Sequence, residues 1–194
     1  MMQTGEAATS SLFTAGSVRE RVWGDLMCSR AAIYPLPPHG HQPNFVGARE
    51  AAARLLAHPD VQRHRCLIVG AERALYPLRK QALEAGVALY VPDQNRAGWY
   101  FRVSDPGGAN LKRSREVGEP KLRPEGATGV VLACVAVDRA GGRLGKGFGW
   151  AARGLNLGLP EYTLAHPRML LERLDCPPDS QVQLIGLPDE VISP

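Results

Sequence analysis

No hydrophobic run in this chain approaches the ~18 residues that cross a bilayer, which excludes a helical membrane protein. Its four cysteines, Cys28, Cys66, Cys134 and Cys176, form no CxxC pair. Neither a zinc site nor a disulfide framework is suggested, and reduced thiols in a cytoplasm are expected. The opening stretch, MMQTGEAATSSLFTAG, has a Glu but neither Lys nor Arg and so lacks the basic lead of a secretory signal. No GxSxG motif marks a serine hydrolase, and no Gly-Lys-Ser/Thr closes a Walker loop. His39, His41 and His166 have no Cys or carboxylate at ligand spacing beside them, so a metal centre is not expected there.

What remains has the balance of a globular protein, with 44% hydrophobic and 22% charged residues in 194. Residues 1–16 are small and polar and are expected to be a flexible N-terminus, with 17–194 forming a single α/β domain. The net charge of +4 favours an anionic partner. Basic residues concentrate in one stretch, which holds five of the 23, Lys112, Arg113, Arg115, Lys121 and Arg123, broken by Glu116 and Glu119. Without interleaved aromatics to stack bases, it reads as a solvated loop, and nucleic acid is not the expected partner.

Apolar spacing predicts a helix from Val18 to Ala32, with Ser17 as N-cap and Glu20 completing a capping box. The proline-rich Tyr34–Pro43 segment must be an extended connector. Helices are expected near 46–57 and 78–85. Strands are expected at Cys66–Val69, Val87–Pro92, Trp99–Val103, Val130–Val137, Glu161–Ala165 and Val182–Gly186. Apolar runs without alternation suit a parallel sheet covered on both faces. Residues 104–127, polar and rich in Gly and Pro, read as a functional flap or a disordered excursion.

The segment with the most chemistry is Gly142-Arg143-Leu144-Gly145-Lys146-Gly147-Phe148-Gly149-Trp150, directly after the Val130–Val137 strand. Alternating glycines let backbone amides approach an anion, and Arg143 and Lys146 add charge, so the loop reads as a phosphate cradle. Arg79, where a helix begins, can fork onto a carboxylate or phosphate or simply face solvent. Phe45, in Pro43-Asn44-Phe45-Val46-Gly47-Ala48, is a packing residue or a wall for a flat ring.

Taken together, several segments resemble the 5-formyltetrahydrofolate cyclo-ligase family, also called 5,10-methenyltetrahydrofolate synthetases. They are Val18-Arg19-Glu20-Arg21-Val22-Trp23, Pro43–Ala48, Pro77–Leu83 with Leu89–Pro92, and Ala136-Val137-Asp138 leading to Gly142–Trp150. Phe45 after Pro-Asn, and Ala151, are similar to the branch of synthetase-domain-containing proteins. The resemblance implies a three-layer αβα sandwich with a mostly parallel sheet, similar to the sugar-phosphate isomerase and CoA-transferase group. It implies ATP and Mg²⁺, and phosphorylation of the formyl oxygen of 5-formyltetrahydrofolate followed by ring closure and loss of phosphate. By position, Arg19, Arg143, Gly145, Lys146, Gly147 and Gly149 would bind ATP, and Phe45, Arg79 and Trp150 would lie on the folate side. The family's metal-binding Asp positions read Ala152 and Gln183 here, and its usual Lys before Arg19 reads Ala15. Two functions stay open: an ATP-dependent cyclo-ligase, or a catalytically impaired relative that binds a nucleotide, folate or nucleic acid.

Overall fold

The computed structural model describes residues 5–194, and side chains from Thr14 onward. The first half forms α1 (Gly5–Cys28), β1 (Ala32–Ile33), β2 (Asn44–Phe45), α2 (Ala48–Ala57), α3 (Pro59–Gln62), β3 (Cys66–Val69) and α4 (Tyr76–Glu84). It continues through β4 (Ala88–Pro92), β5 (Tyr100–Val103), α5 (Leu111–Val117) and β6 (Glu119–Lys121). Strands joined by turns make up the rest: β7 (Gly129–Val131), β8 (Ala136–Asp138), β9 (Gly142–Leu144), β10 (Glu161–Leu164) and β11 (Leu170–Leu171). β12 (Ser180–Gln181), β13 (Leu184–Gly186) and β14 (Val191–Ile192) complete the chain.

The result is a mixed α/β fold around an eight-stranded sheet in the order β14-β13-β10-β7-β3-β4-β5-β6. The strands from β13 through β4 run parallel, and the outer strands are antiparallel. A second sheet, β11-β8-β9-β12, stands beside it. On one face of the large sheet Leu67, Val69, Leu89, Val91 and Val131 pack with Ala51, Leu55, Leu78 and Ala82 of α2 and α4. The opposite face carries Ile68, Tyr90, Tyr100, Val130 and Leu132, with Ala127, Trp150, Ala151, Leu155 and Leu159 packed against it. Loops therefore supply the cover there. α1 turns its Val18, Val22, Trp23 and Leu26 stripe into the core.

Several boundaries differ from the sequence reading. α1 begins at Gly5, so Ser17 lies inside the helix and cannot cap its start; residues 1–4 of the expected flexible end lie outside the described residues. The expected strand 130–137 is two strands in two sheets. Leu132 N–H still pairs with Tyr162 O, whereas Val135 N–H already pairs with Leu144 O. The crossing occurs at Ala133, whose carbonyl accepts from the Arg143 guanidinium at 2.8 Å. Uniform burial conceals that crossing, because both sheets are buried. The 104–127 segment is an ordered excursion: Asn110 caps α5 by accepting from Lys112 N–H, and β6 pairs with β5 along the sheet edge. Its cations are solvated, with Lys121 paired to Glu119 and Arg113 to Glu116.

Candidate active site

The glycine loop leaves β9 of the small sheet. A hairpin therefore separates it from the buried run, contrary to the direct strand-to-loop connection read from sequence. Asp138 closes that hairpin, with its carboxylate accepting from Ala140, Gly142 and Leu174 N–H. Beyond β9, Gly145 N–H donates to Asp179 Oδ2 at 2.9 Å. Among the described residues, the amides of Lys146, Gly147, Phe148 and Gly149 have no protein acceptor. Gly147 and Gly149 have φ of +99° and +89°, the left-handed region that favours glycine. A Cβ at Gly147 would sit 3.1 Å from Arg19 Cζ, so the guanidinium lies directly against the loop. Arg19 Nε donates to Gly145 O at 2.8 Å, and its Nη2 faces Asp179 Oδ2 at 3.7 Å.

Lys146, Gly149 and Trp150 then line a cavity of about 440 Å³ with Ala71, Glu72, Pro92, Asp93 and Trp99. This volume lies within the ~300–1,000 Å³ range of small-molecule sites. The cavity sits at the carboxyl ends of β3 and β4, where parallel sheets place their ligands. Trp150 meets Tyr100 edge-on at 6.2 Å, and Arg96 stacks on Trp99 at 3.7 Å, which steadies both indoles. Lys146 Nζ lies 4.6 Å from the exposed Phe148 ring. Glu72 was not among the sequence candidates. Its Oε2 is enclosed without a hydrogen-bond partner. Burial pushes its carboxyl well above the usual range, against the pull of Arg79, Lys146 and Arg143. A carboxyl just beyond the end of an apolar parallel strand was the available signal for Glu72; Trp99 offered none apart from its type.

Arg143 and Arg79 are buried within the protein, not displayed on the loop or helix surface. Arg143 is 1% exposed. It donates from Nε to Ser180 Oγ, from Nη1 to Ala133 O, and from Nη2 to the Ala151 and Ala152 carbonyls. Glu161 Oε2 lies 3.3 Å from its Nε. The guanidinium thus braces the back of the glycine loop and is closed to a ligand. Arg79, 2% exposed, donates to Gly70, Glu72 and Ala109 carbonyls, and burial brings its pKa down to about 10. Its Nη2 has no protein acceptor among the described residues. Arg79 also lines a second cavity of about 390 Å³ with Asn44, Arg73, Tyr76 and Asn110, which shares Ala71 with the first. Phe45 is 1% exposed and edge-on to His166, so it is a core residue with no face for a ligand.

The positions that resemblance associates with a metal carry no carboxylate. Ala152 contributes only its carbonyl, held by Arg143, and Gln183 Oε1 accepts the Glu161 N–H. Among the described residues no three His, Cys, Asp or Glu side chains converge. These residues do not fit a protein-held Mg²⁺.

Comparison with known proteins bears on the family and the fold. The chain is 29% identical over 197 residues to the methenyltetrahydrofolate synthase domain-containing protein of Mus musculus, an alignment covering 91% of this chain and 49% of that protein. The Homo sapiens counterpart is 26% identical over 196 residues, covering 90% and 48%. The chain thus spans about half the length of these relatives. Among solved structures, the fold is similar to the 5,10-methenyltetrahydrofolate synthetase of Aquifex aeolicus, with TM-score 0.65, 20% identity and 92% of each chain covered. It is also similar to the synthetase of Mycoplasma pneumoniae, with TM-score 0.53, 12% identity, and 89% and 97% covered. With the family's sequence profile matching residues 15–171, the chain belongs to the 5-formyltetrahydrofolate cyclo-ligase family.

Proposed function

We propose that this chain is an ATP-dependent cyclo-ligase acting on 5-formyltetrahydrofolate in a cytoplasm, with polyphosphate and folate meeting over the glycine loop. The observation that carries this reading is the run of four unengaged amides, 146–149, on an exposed loop whose Lys146 and Gly149 line a cavity with two indoles and Glu72. Bound ATP supplies the phosphoryl group that activates the formyl oxygen. The free amides and Lys146 hold its phosphates from one side, and Arg19 lies against Gly147 from the other. Such prepositioned donors stabilise charge as it develops and need little reorganisation. Arg143 keeps the loop in shape from behind.

Trp99 and Trp150 offer flat apolar walls to a pteridine. Glu72, on the wall of the same cavity, offers its carboxyl to the donor edge of that ring, while its Oε2 stays tucked against Gly70. The acidic glutamyl end then reaches the adjoining cavity, where Arg73 and the free Nη2 of Arg79 offer positive charge. The test is formation of the methenyl product, followed by its absorbance, with ATP and 5-formyltetrahydrofolate. Turnover in the parent protein that falls at least about tenfold in Glu72→Ala is expected. Absence of product at high protein concentration would sink the proposal.

A further inference from the structure

Charge around the glycine loop is arranged differently from a site built for a divalent cation. Mg²⁺ takes about six oxygen ligands, usually several waters with substrate phosphates and one or two protein carboxylates. Asp179 and Glu161, the acids beside the loop, are already matched to cations, whereas Glu72 and Asp93, which line the cavity with Lys146, have no ion-pair partner among the described residues. Asp179 accepts from Gly145 N–H and faces Arg19; Glu161 lies against Arg143 and accepts the Ser180 hydroxyl. Recruiting either acid would place a dication within a few ångströms of a guanidinium. Glu72 Oε2 is tucked against Gly70, Asp93 Oδ1 accepts the Asn95 N–H within its own turn, and among the described residues no third carboxylate, His or Cys converges on them.

The positive side is unbalanced in the complementary way. Lys146 has no carboxylate within 4 Å among the described residues. Arg19 is committed through Nε but meets Asp179 only at 3.7 Å, a contact long enough to yield to a phosphate. With the amides of 146–149, the loop offers donors and positive charge to a polyanion and no anionic ligand to its metal.

We infer that this site neutralises its bound polyphosphate with Arg19, Lys146 and the loop amides, and that binding does not depend on a divalent cation. The inference rests on the polyphosphate reading above. Free ATP, more highly charged than its metal complex, should bind as tightly as that complex or tighter. The test titrates the protein with ATP, and separately with inorganic triphosphate, in excess EDTA and in excess Mg²⁺, reading heat or tryptophan fluorescence. Affinity in EDTA equal to or greater than that in Mg²⁺ is expected for both ligands, and Lys146→Ala should weaken binding at least about tenfold in either buffer. Thermal unfolding of the variant checks that it remains folded. Binding that needs Mg²⁺ overturns the inference while leaving the nucleotide reading intact. No binding in either buffer overturns both.

Discussion

At the residue scale, two cations five atoms from similar backbones have opposite fates. Arg143 is enclosed by five oxygens from four parts of the chain, whereas Lys146 meets a phenyl ring and open space. Arg143→Ala should therefore cost about 3–5 kcal/mol of folding stability, because it strands the buried Glu161 and three carbonyls. Lys146→Ala should leave the denaturant midpoint nearly unchanged while weakening ATP binding. Paired urea melts and titrations check this, and a stable Arg143→Ala protein with selectively lost ATP binding would reverse the assignment.

His64 gives a second residue-scale prediction. Its ring is bonded on both sides, Nδ1 to Thr128 Oγ1 and Nε2 to Tyr162 OH, each at 2.7 Å, and burial lowers its pKa from 6.5. Between the lowered value and 6.5 the unfolded chain binds a proton there that the folded chain does not, so stability falls as pH falls through that window. Glu72 and Glu161, pushed upward by burial, act in the opposite direction. The His64 part is isolated by difference: urea melts of the parent and His64→Gln from pH 7.5 downward should converge as pH drops. Parallel curves would refute it.

At the element scale, the ordered excursion after β5 depends on one buried side chain. Arg79 Nε holds the Ala109 carbonyl, and Gly108 and Gly118 let the segment settle against Val103 and Phe101. Arg79→Met should leave Ala109, Gly70 and Glu72 carbonyls unpaired and release residues 105–118. Their amide exchange should accelerate about tenfold or more while β3 and β4 stay protected. The sequence signs of a flap, its glycines and charges, belong to an element whose anchor lies some 30 residues earlier. Similarly, the periodicity of Val18, Val22 and Leu26 located the buried stripe of α1 but not its start, because the stripe records only where the helix meets the core.

At the scale of the whole molecule, one fold places the loop of the small sheet against the carboxyl ends of the large one, with α1 meeting that loop through Arg19. Ligand held at that junction should stabilise the entire domain. ATP at about a hundred times its dissociation constant should add about 2.7 kcal/mol. For a chain of this size that is a rise of roughly 5–10 °C in Tm. A nucleotide that binds without moving Tm would indicate a site elsewhere, on a part that does not unfold with the domain.

Local chemistry in the sequence was enough to determine the mixed α/β class, most strand positions, the family and the glycine-lysine loop, because burial periodicity, glycine spacing and short motifs are properties of neighbouring residues. It could not determine which cations stay free. Arg143 and Lys146 lie three apart in one motif, but only packing against Ala133, Glu161 and Ser180 turns the first inward. Nor could it single out Glu72 or Trp99 beside Trp150, which meet because β3 and β4 are parallel neighbours opening on the same edge. A side chain's charge is written in its type, whereas its availability is decided by the distant oxygens that the fold brings within reach.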